Sequence, residues 1–161
     1  MLMYNLSRYR NGDILVTYSF SSFGIHIAAT GHAAIVHTDS SKTIESMPAW
    51  FDTSKKDGVW FYTNNWKSRP RVYGVRVKGA GSSHYTNVAR YAIRQANLRK
   101  KYNLNFFDKG TTKSFYCSQL VWRAWKNQGF DIDRMNLGDW EPVSPAELVG
   151  GGNTYVFYQK N

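Results

Sequence analysis

The sequence predicts an α+β fold, an antiparallel sheet or small barrel with helices packed on one side. Three observations carry that reading. Short β-branched and aromatic runs, punctuated by turn residues, fill the first half of the chain. Two stretches with helical spacing follow, and a last strand-like run closes it. With 161 residues, no internal repeat and no Pro/Ser-rich linker, the chain is expected to form a single domain, 1–161, large enough to bury a core. A hydrophobic content of 42% with only 4 Pro excludes a disordered chain.

The elements follow in order. Asn11, Gly12 and Asp13 are a turn signal ahead of a strand over residues 14–18. Gly31 precedes a second strand, 32–37. The polar turn 38–42 leads it into a third, 43–47, and so short a loop favours an antiparallel hairpin. Residues 58–62 and 71–77 read as further strands. The second of these alternates, with Val72, Gly74 and Arg76 on one face and Arg71, Tyr73, Val75 and Val77 on the other. Val88, Tyr91, Ala92, Gln95 and Ala96 predict a helix over 87–101. A second helix, 117–128, gathers Leu120, Val121, Ala124 and Trp125 on one face and stops at Gly129. Ser144 caps a short helix that starts with Pro145 and carries Glu147 three residues after the cap. Residues 154–158 end the chain as a strand.

Composition limits the function classes. A lone cysteine excludes an internal disulfide framework and any cysteine-rich zinc or iron–sulfur site. The balance of 21 Lys+Arg against 11 Asp+Glu, a net charge of +10, suits polyanionic partners: nucleic acid, anionic lipid surfaces or anionic cell-wall polymers. No apolar stretch is long enough for a transmembrane helix. The first residues lack the basic flank, apolar core and cleavage site of a signal peptide, so localisation stays open.

The segment Phe115-Tyr116-Cys117-Ser118-Gln119-Leu120-Val121-Trp122 carries the chemistry. Its cysteine falls in the first turn of an amphipathic helix, where free N–H groups and the helix dipole favour a thiolate. The same N–H groups, that of Cys117 among them, can stabilise an oxyanion. Read on position alone, a free cysteine is more often a small buried hydrophobe. A nucleophilic thiol also needs a base and a group to orient it. His26 and His84 have no obvious orienting partner. His32 opens a strand, Glu45 lies on the returning strand, and the hairpin register decides whether the two share a face. His37 points to the opposite face.

Gly12-Asp13-Ile14-Leu15, Gly31-His32-Ala33-Ala34-Ile35-Val36, Ile44-Glu45-Ser46 and Tyr116-Cys117-Ser118-Gln119-Leu120-Val121-Trp122 together resemble the permuted branch of the NlpC-type, papain-like cysteine peptidases, the YiiX/YebB-like group. Phe106-Phe107-Asp108 and Val143-Ser144-Pro145-Ala146-Glu147-Leu148 extend the resemblance over nearly the whole chain. In that branch, as in the related lecithin–retinol acyltransferase family, the histidine strand precedes the cysteine helix. A triad depends on the spatial constellation and not on chain order. The resemblance implies a papain-like fold with Cys117 as nucleophile, His32 as general base and Glu45 as the group that orients the imidazole. It further implies hydrolysis of amide or peptide bonds through a thioester, with cell-wall peptides as the common substrate class and the cell envelope or secretion as the setting. Tyr116 and Ser118, beside the nucleophile, are candidates to contact substrate. Trp60, Trp66, Trp122, Trp125 and Trp140 read chiefly as packing residues. Trp50, Tyr62 and Trp66 follow the Glu45 strand and are candidates to line a cleft.

Two alternatives stand beside this reading. A lipid acyltransferase or thioesterase, as in the related family, calls for a membrane-seeking segment, for which residues 20–25 are the candidate. A non-catalytic basic binder of nucleic acid draws support from Arg90, Arg94, Arg99, Lys100 and Lys101 with Tyr91 and Tyr102. It lacks a recognised motif, however, and the basic residues ring the helix. No cofactor is expected. Neither is a metal, since His32 and His37 have opposite parity and Glu45 adds no third convergent donor.

Overall fold

The computed structural model describes residues 9–18, 31–51, 56–135, 137–138 and 140–161. Residues 20–25 and His26 lie outside the described residues. The first strand, β1 (Ile14–Thr17), is buried along its whole length because it lies inside the sheet. β2 (His32–Val36) pairs with it antiparallel on one side and β5 (Val72–Val77) on the other. β3 (Lys42–Met47) and β4 (Gly58–Thr63) extend the sheet beyond β2, and the last strand, β8 (Thr154–Lys160), extends it beyond β5. The order is β4-β3-β2-β1-β5-β8. An α+β architecture with an antiparallel sheet is therefore what forms.

Both faces of this sheet are covered, so strands such as Ile-Leu-Val-Thr need no polar face. Ile14, Val16, Ala33, Ile35, Ile44 and Val75 point toward the helices. Leu15, Ala34, Val36 and Val72 point the other way and pack with Trp66, which belongs to a 3-10 turn at Trp66–Ser68. The faces expected for β5 hold: Val72 lies in the second cluster, while Tyr73, Val75 and Val77 lie with the first.

Helix α1 (Ser82–Asn97) starts five residues earlier than its apolar spacing predicts. Its first turn, Ser82-Ser83-His84, shows no periodicity and is held by other means. The Gly81 N–H donates to His84 Nδ1 at 2.9 Å, and the Val77 N–H donates to the Tyr85 hydroxyl at 3.0 Å. The helix ends before the predicted 101 because Arg99 adopts a φ of 52°. Between the helices, β6 (Lys101–Tyr102) and β7 (Ser114–Phe115) form a two-residue parallel pair too short to leave a sequence pattern. α2 (Cys117–Lys126) buries Leu120, Val121, Ala124 and Trp125 as expected. The Ser144 cap, Pro145 and Glu147 form the expected short turn, a 3-10 helix over Pro145–Leu148.

One irregularity positions the site. β2 and β3 pair only through Ile35–Ile44 and Val36–Thr43, whereas β3 stays paired to β4 along its full length. The ladder between β2 and β3 ends there. The chain leading into α2 takes its place, with the Ser46 hydroxyl donating to the Phe115 carbonyl at 2.6 Å. The N-terminus of α2 thus meets the sheet at the start of β2. Gly31 permits that start: its φ is 86°, and a Cβ there would lie 1.9 Å from the Thr17 carbonyl oxygen.

Candidate active site

Cys117 is the first residue of α2 and is half-buried. The preceding Tyr116 is extended, and its N–H donates to Gln119 Oε1 at 3.0 Å. Gln119 is fully buried and fastens the whole turn. It also accepts from Asn103 Nδ2 at 3.0 Å and donates through Nε2 to the Lys109 and Thr111 carbonyls, each at 3.1 Å. The sequence signal for this role was present, a Gln three residues after the helix cap, although its long-range partners were not legible.

Tyr116 and Ser118 do not face a cleft. The Tyr116 hydroxyl accepts from the Val143 N–H at 3.0 Å, and the Ser118 hydroxyl donates to the Val143 carbonyl at 2.5 Å. Both side chains are buried. Placed on either side of Cys117 at the helix start, they clamp residue 143 against the nucleophile's turn.

The hairpin register puts Glu45 level with Ala34, on the face that carries His32, so the two side chains converge. His32 Nε2 lies 2.7 Å from Glu45 Oε1. The same ring is hydrogen-bonded to the Cys117 thiol, which leaves Nδ1 as the nitrogen for sulfur. Glu45 is fully buried and His32 nearly so. The second carboxylate oxygen, Oε2, accepts from the Thr43 hydroxyl and from Trp66 Nε1, the latter at 3.2 Å.

Trp66 is likewise fully buried, which removes it from any cleft wall. Its indole lies nearly parallel to the His32 ring, 14° between planes and 5.9 Å between centroids. Arg69 closes the far side. Its guanidinium sits 4.3 Å from the Trp66 ring centroid, and Nη2 is 3.5 Å from Glu45 Oε1. Thr43, Arg69 and Gln119 are the residues that sequence reasoning missed here. Tyr62, on the edge strand β4, is half-buried with Lys56 Nζ above its ring at 5.7 Å. Trp50 is exposed.

The electrostatics follow from these contacts. Burial lowers the basicity of His32, but hydrogen bonds to Cys117 and Glu45 outweigh it and raise the imidazole to about 9. Burial raises Glu45, yet His32, Arg69 and Thr43 hold it at about 2. Burial also raises the Cys117 thiol. The His32 hydrogen bond and charge, with the backbone N–H groups of Ala33 and Ser118, reverse that and lower it. These shifts all act in the direction of a thiolate–imidazolium pair backed by a buried carboxylate. The Ala33 N–H reaches sulfur because the β2–β3 ladder ends short of it.

A thiol at a helix start, meeting a histidine strand across a split sheet, defines a papain-like architecture. Here the histidine strand comes first in the chain, so the order is permuted. The chain belongs to the family of permuted papain-like amidases typified by YaeF and YiiX, the C92 peptidases, whose family model matches residues 8–139. Among solved structures, the fold is similar to that of metalloprotein YiiX from Escherichia coli O157:H7, with a TM-score of 0.66 and 18% identity, covering 94% of this chain and 97% of that one. No curated protein matches the chain in sequence. The protein is therefore a member of a cysteine peptidase and amidase family, and no helix among the described residues is long and apolar enough to cross a membrane.

Proposed function

We propose that the protein hydrolyses amide bonds in peptides, with Cys117 as nucleophile, His32 as general acid and base, and Glu45 orienting the imidazole. One observation carries this: a single imidazole bridges a helix-start thiol and a buried carboxylate. The Cys117 thiolate attacks the amide carbonyl carbon, and the N–H groups at the start of α2 face the developing oxyanion. His32 gives its proton to the departing amine nitrogen as the C–N bond breaks. Water then adds to the thioester, His32 takes its proton, and the C–S bond breaks to release the acid and the thiolate.

Envelope peptides attached to anionic polymers are the substrate class proposed. Support comes from the amidase family and from the net charge of +10, which draws such polymers toward the protein. The description of the E. coli neighbour as a metalloprotein suggests a metal. The donor set of the described residues does not fit one: no three of their His, Cys, Asp or Glu side chains form a group that could hold a metal ion. The mechanism accordingly uses only the chain's own side chains.

The test has two parts. Iodoacetamide at pH 6 should label Cys117 rapidly, and His32→Ala should slow the labelling by about tenfold or more. Peptidoglycan-derived peptides incubated with the protein should then yield cleaved products by mass spectrometry, and Cys117→Ala should yield none. An inert Cys117 in folded protein overturns the triad. A reactive Cys117 with no cleavage overturns the substrate class alone.

A further inference from the structure

We propose that Arg69 is a positioning residue for the second half of the reaction: by sharing Glu45 with His32, it keeps the imidazole able to act as a base toward water once Cys117 is acylated. This rests on the triad reading above. The two halves of the reaction make opposite demands on His32. Before attack, an imidazolium is useful, because it stabilises the thiolate and then protonates the leaving amine. After acylation, the thiolate is gone and a neutral imidazole must take a proton from water. A buried carboxylate directly behind the ring works against that second step, because it keeps the ring protonated.

Arg69 supplies the offset. Its Nη2 lies 3.5 Å from Glu45 Oε1, the same oxygen that stands 2.7 Å from His32 Nε2. One carboxylate oxygen therefore faces two cations, and the guanidinium carries the same charge sign as the imidazolium. The geometry is held from three directions. The guanidinium lies on Trp66 at 4.3 Å, Nε donates to Asn65 Oδ1 at 3.2 Å, and the Arg69 backbone N–H donates to the Trp66 carbonyl at 3.1 Å. Trp66 in turn stacks on His32 and donates to the other Glu45 oxygen, so Arg69, Trp66 and His32 form one layered assembly.

Several charged and titratable groups among the described residues bear on His32. They are Cys117 on α2, Glu45 on β3 and Arg69 beyond the Trp66 turn, while Tyr102 and Tyr116, which feel the charge on Cys117, are both raised by burial. Neither tyrosine is ionised at neutral pH. Once the sulfur is acylated, Glu45 and Arg69 are the oppositely charged groups on this side of the ring that bear on the charge of His32.

The experiment needs no substrate. Methyl methanethiosulfonate caps Cys117 as a neutral methyl disulfide, which imitates the uncharged acyl-enzyme sulfur, and NMR of the labelled histidine follows the His32 titration. Arg69→Met keeps an apolar stem against Trp66 and removes the charge; Arg69→Lys keeps the charge. In the capped protein the His32 midpoint should rise by about one pH unit in Arg69→Met and stay near the wild-type value in Arg69→Lys. A midpoint unmoved in Arg69→Met overturns the proposal. Equal shifts in both variants assign the effect to stacking or packing, and failure of both to fold assigns Arg69 to the fold; each overturns it as well. Refusal of wild-type Cys117 to take the reagent marks instead the failure of the triad.

Discussion

Replacing Glu45 by Gln keeps the shape of the side chain and removes its charge. The carboxyl is held at about 2 against an ordinary 4.5. At about 1.4 kcal/mol per pKa unit, its surroundings favour the charged form by roughly 3 kcal/mol. His32, Arg69 and Thr43 share that preference. The hydrogen bond to His32 is one between charged groups, worth about 1.5–3 kcal/mol, so losing it should weaken the imidazolium by roughly tenfold or more. Without it, the thiolate at Cys117 loses part of its counter-ion at mildly acidic pH. Pseudo-first-order alkylation of Cys117 by iodoacetamide, followed by mass spectrometry from pH 5 to pH 9, should show Glu45→Gln about tenfold slower near pH 6, with the two proteins converging as pH rises toward the ordinary thiol range. Superimposable profiles would refute the reasoning, because they would mean the buried carboxylate does nothing to the charge on His32.

Other outcomes follow from the same geometry. Trp66→Phe removes the indole donor to Glu45 Oε2 while keeping a ring beside His32, so it should cost about 1–2 kcal/mol and lower the melting temperature by a few degrees in calorimetry. Lys109 and Asp133 are fully or nearly buried and paired to each other, tying the loop before the nucleophile to the loop after α2. Lys109→Met should destabilise by roughly 3–5 kcal/mol in urea titration, and the double variant Lys109→Met, Asp133→Leu should recover much of that loss. Glu45 is depressed in the folded state, so its stabilisation is present above pH 4.5 and is lost as pH falls through about 2. Acid unfolding should show that arm in the wild type, and Glu45→Gln should lack it.

Much of the candidate site is legible in the sequence. Cys117 declared itself by standing at the head of an amphipathic run, and Gly31 marked where the His32 strand begins, because a residue with a side chain cannot enter that turn. The pairing of His32 with Glu45 was legible only as a question of parity. A one-residue slip in the hairpin would have sent the two side chains to opposite faces, and nothing local in the turn 38–42 decides it. Trp66 illustrates the limit from the other side. An aromatic near the Glu45 strand reads equally as packing or as a cleft wall. Its burial under the sheet, with its N–H aimed at Oε2, makes it a support for the carboxylate.

The sequence by itself determined the alternation of strands and helices, the position of the thiol at a helix start and the permuted order of the histidine strand and cysteine helix. These are local properties, set by periodicity, capping and glycine placement. The net charge of +10, prominent in composition, points to no particular residue, whereas the lone cysteine marks the candidate site. Tertiary structure alone decided that the β2–β3 ladder ends after two pairs, so that the α2 N-terminus meets His32 and the Ala33 N–H that the ladder leaves to it. It also decided that Arg69, 24 residues beyond Glu45, comes back to the same carboxylate oxygen. Both are long-range events. They arise because a buried charge must collect partners from wherever the fold brings them, and no periodicity along the chain records which ones those are.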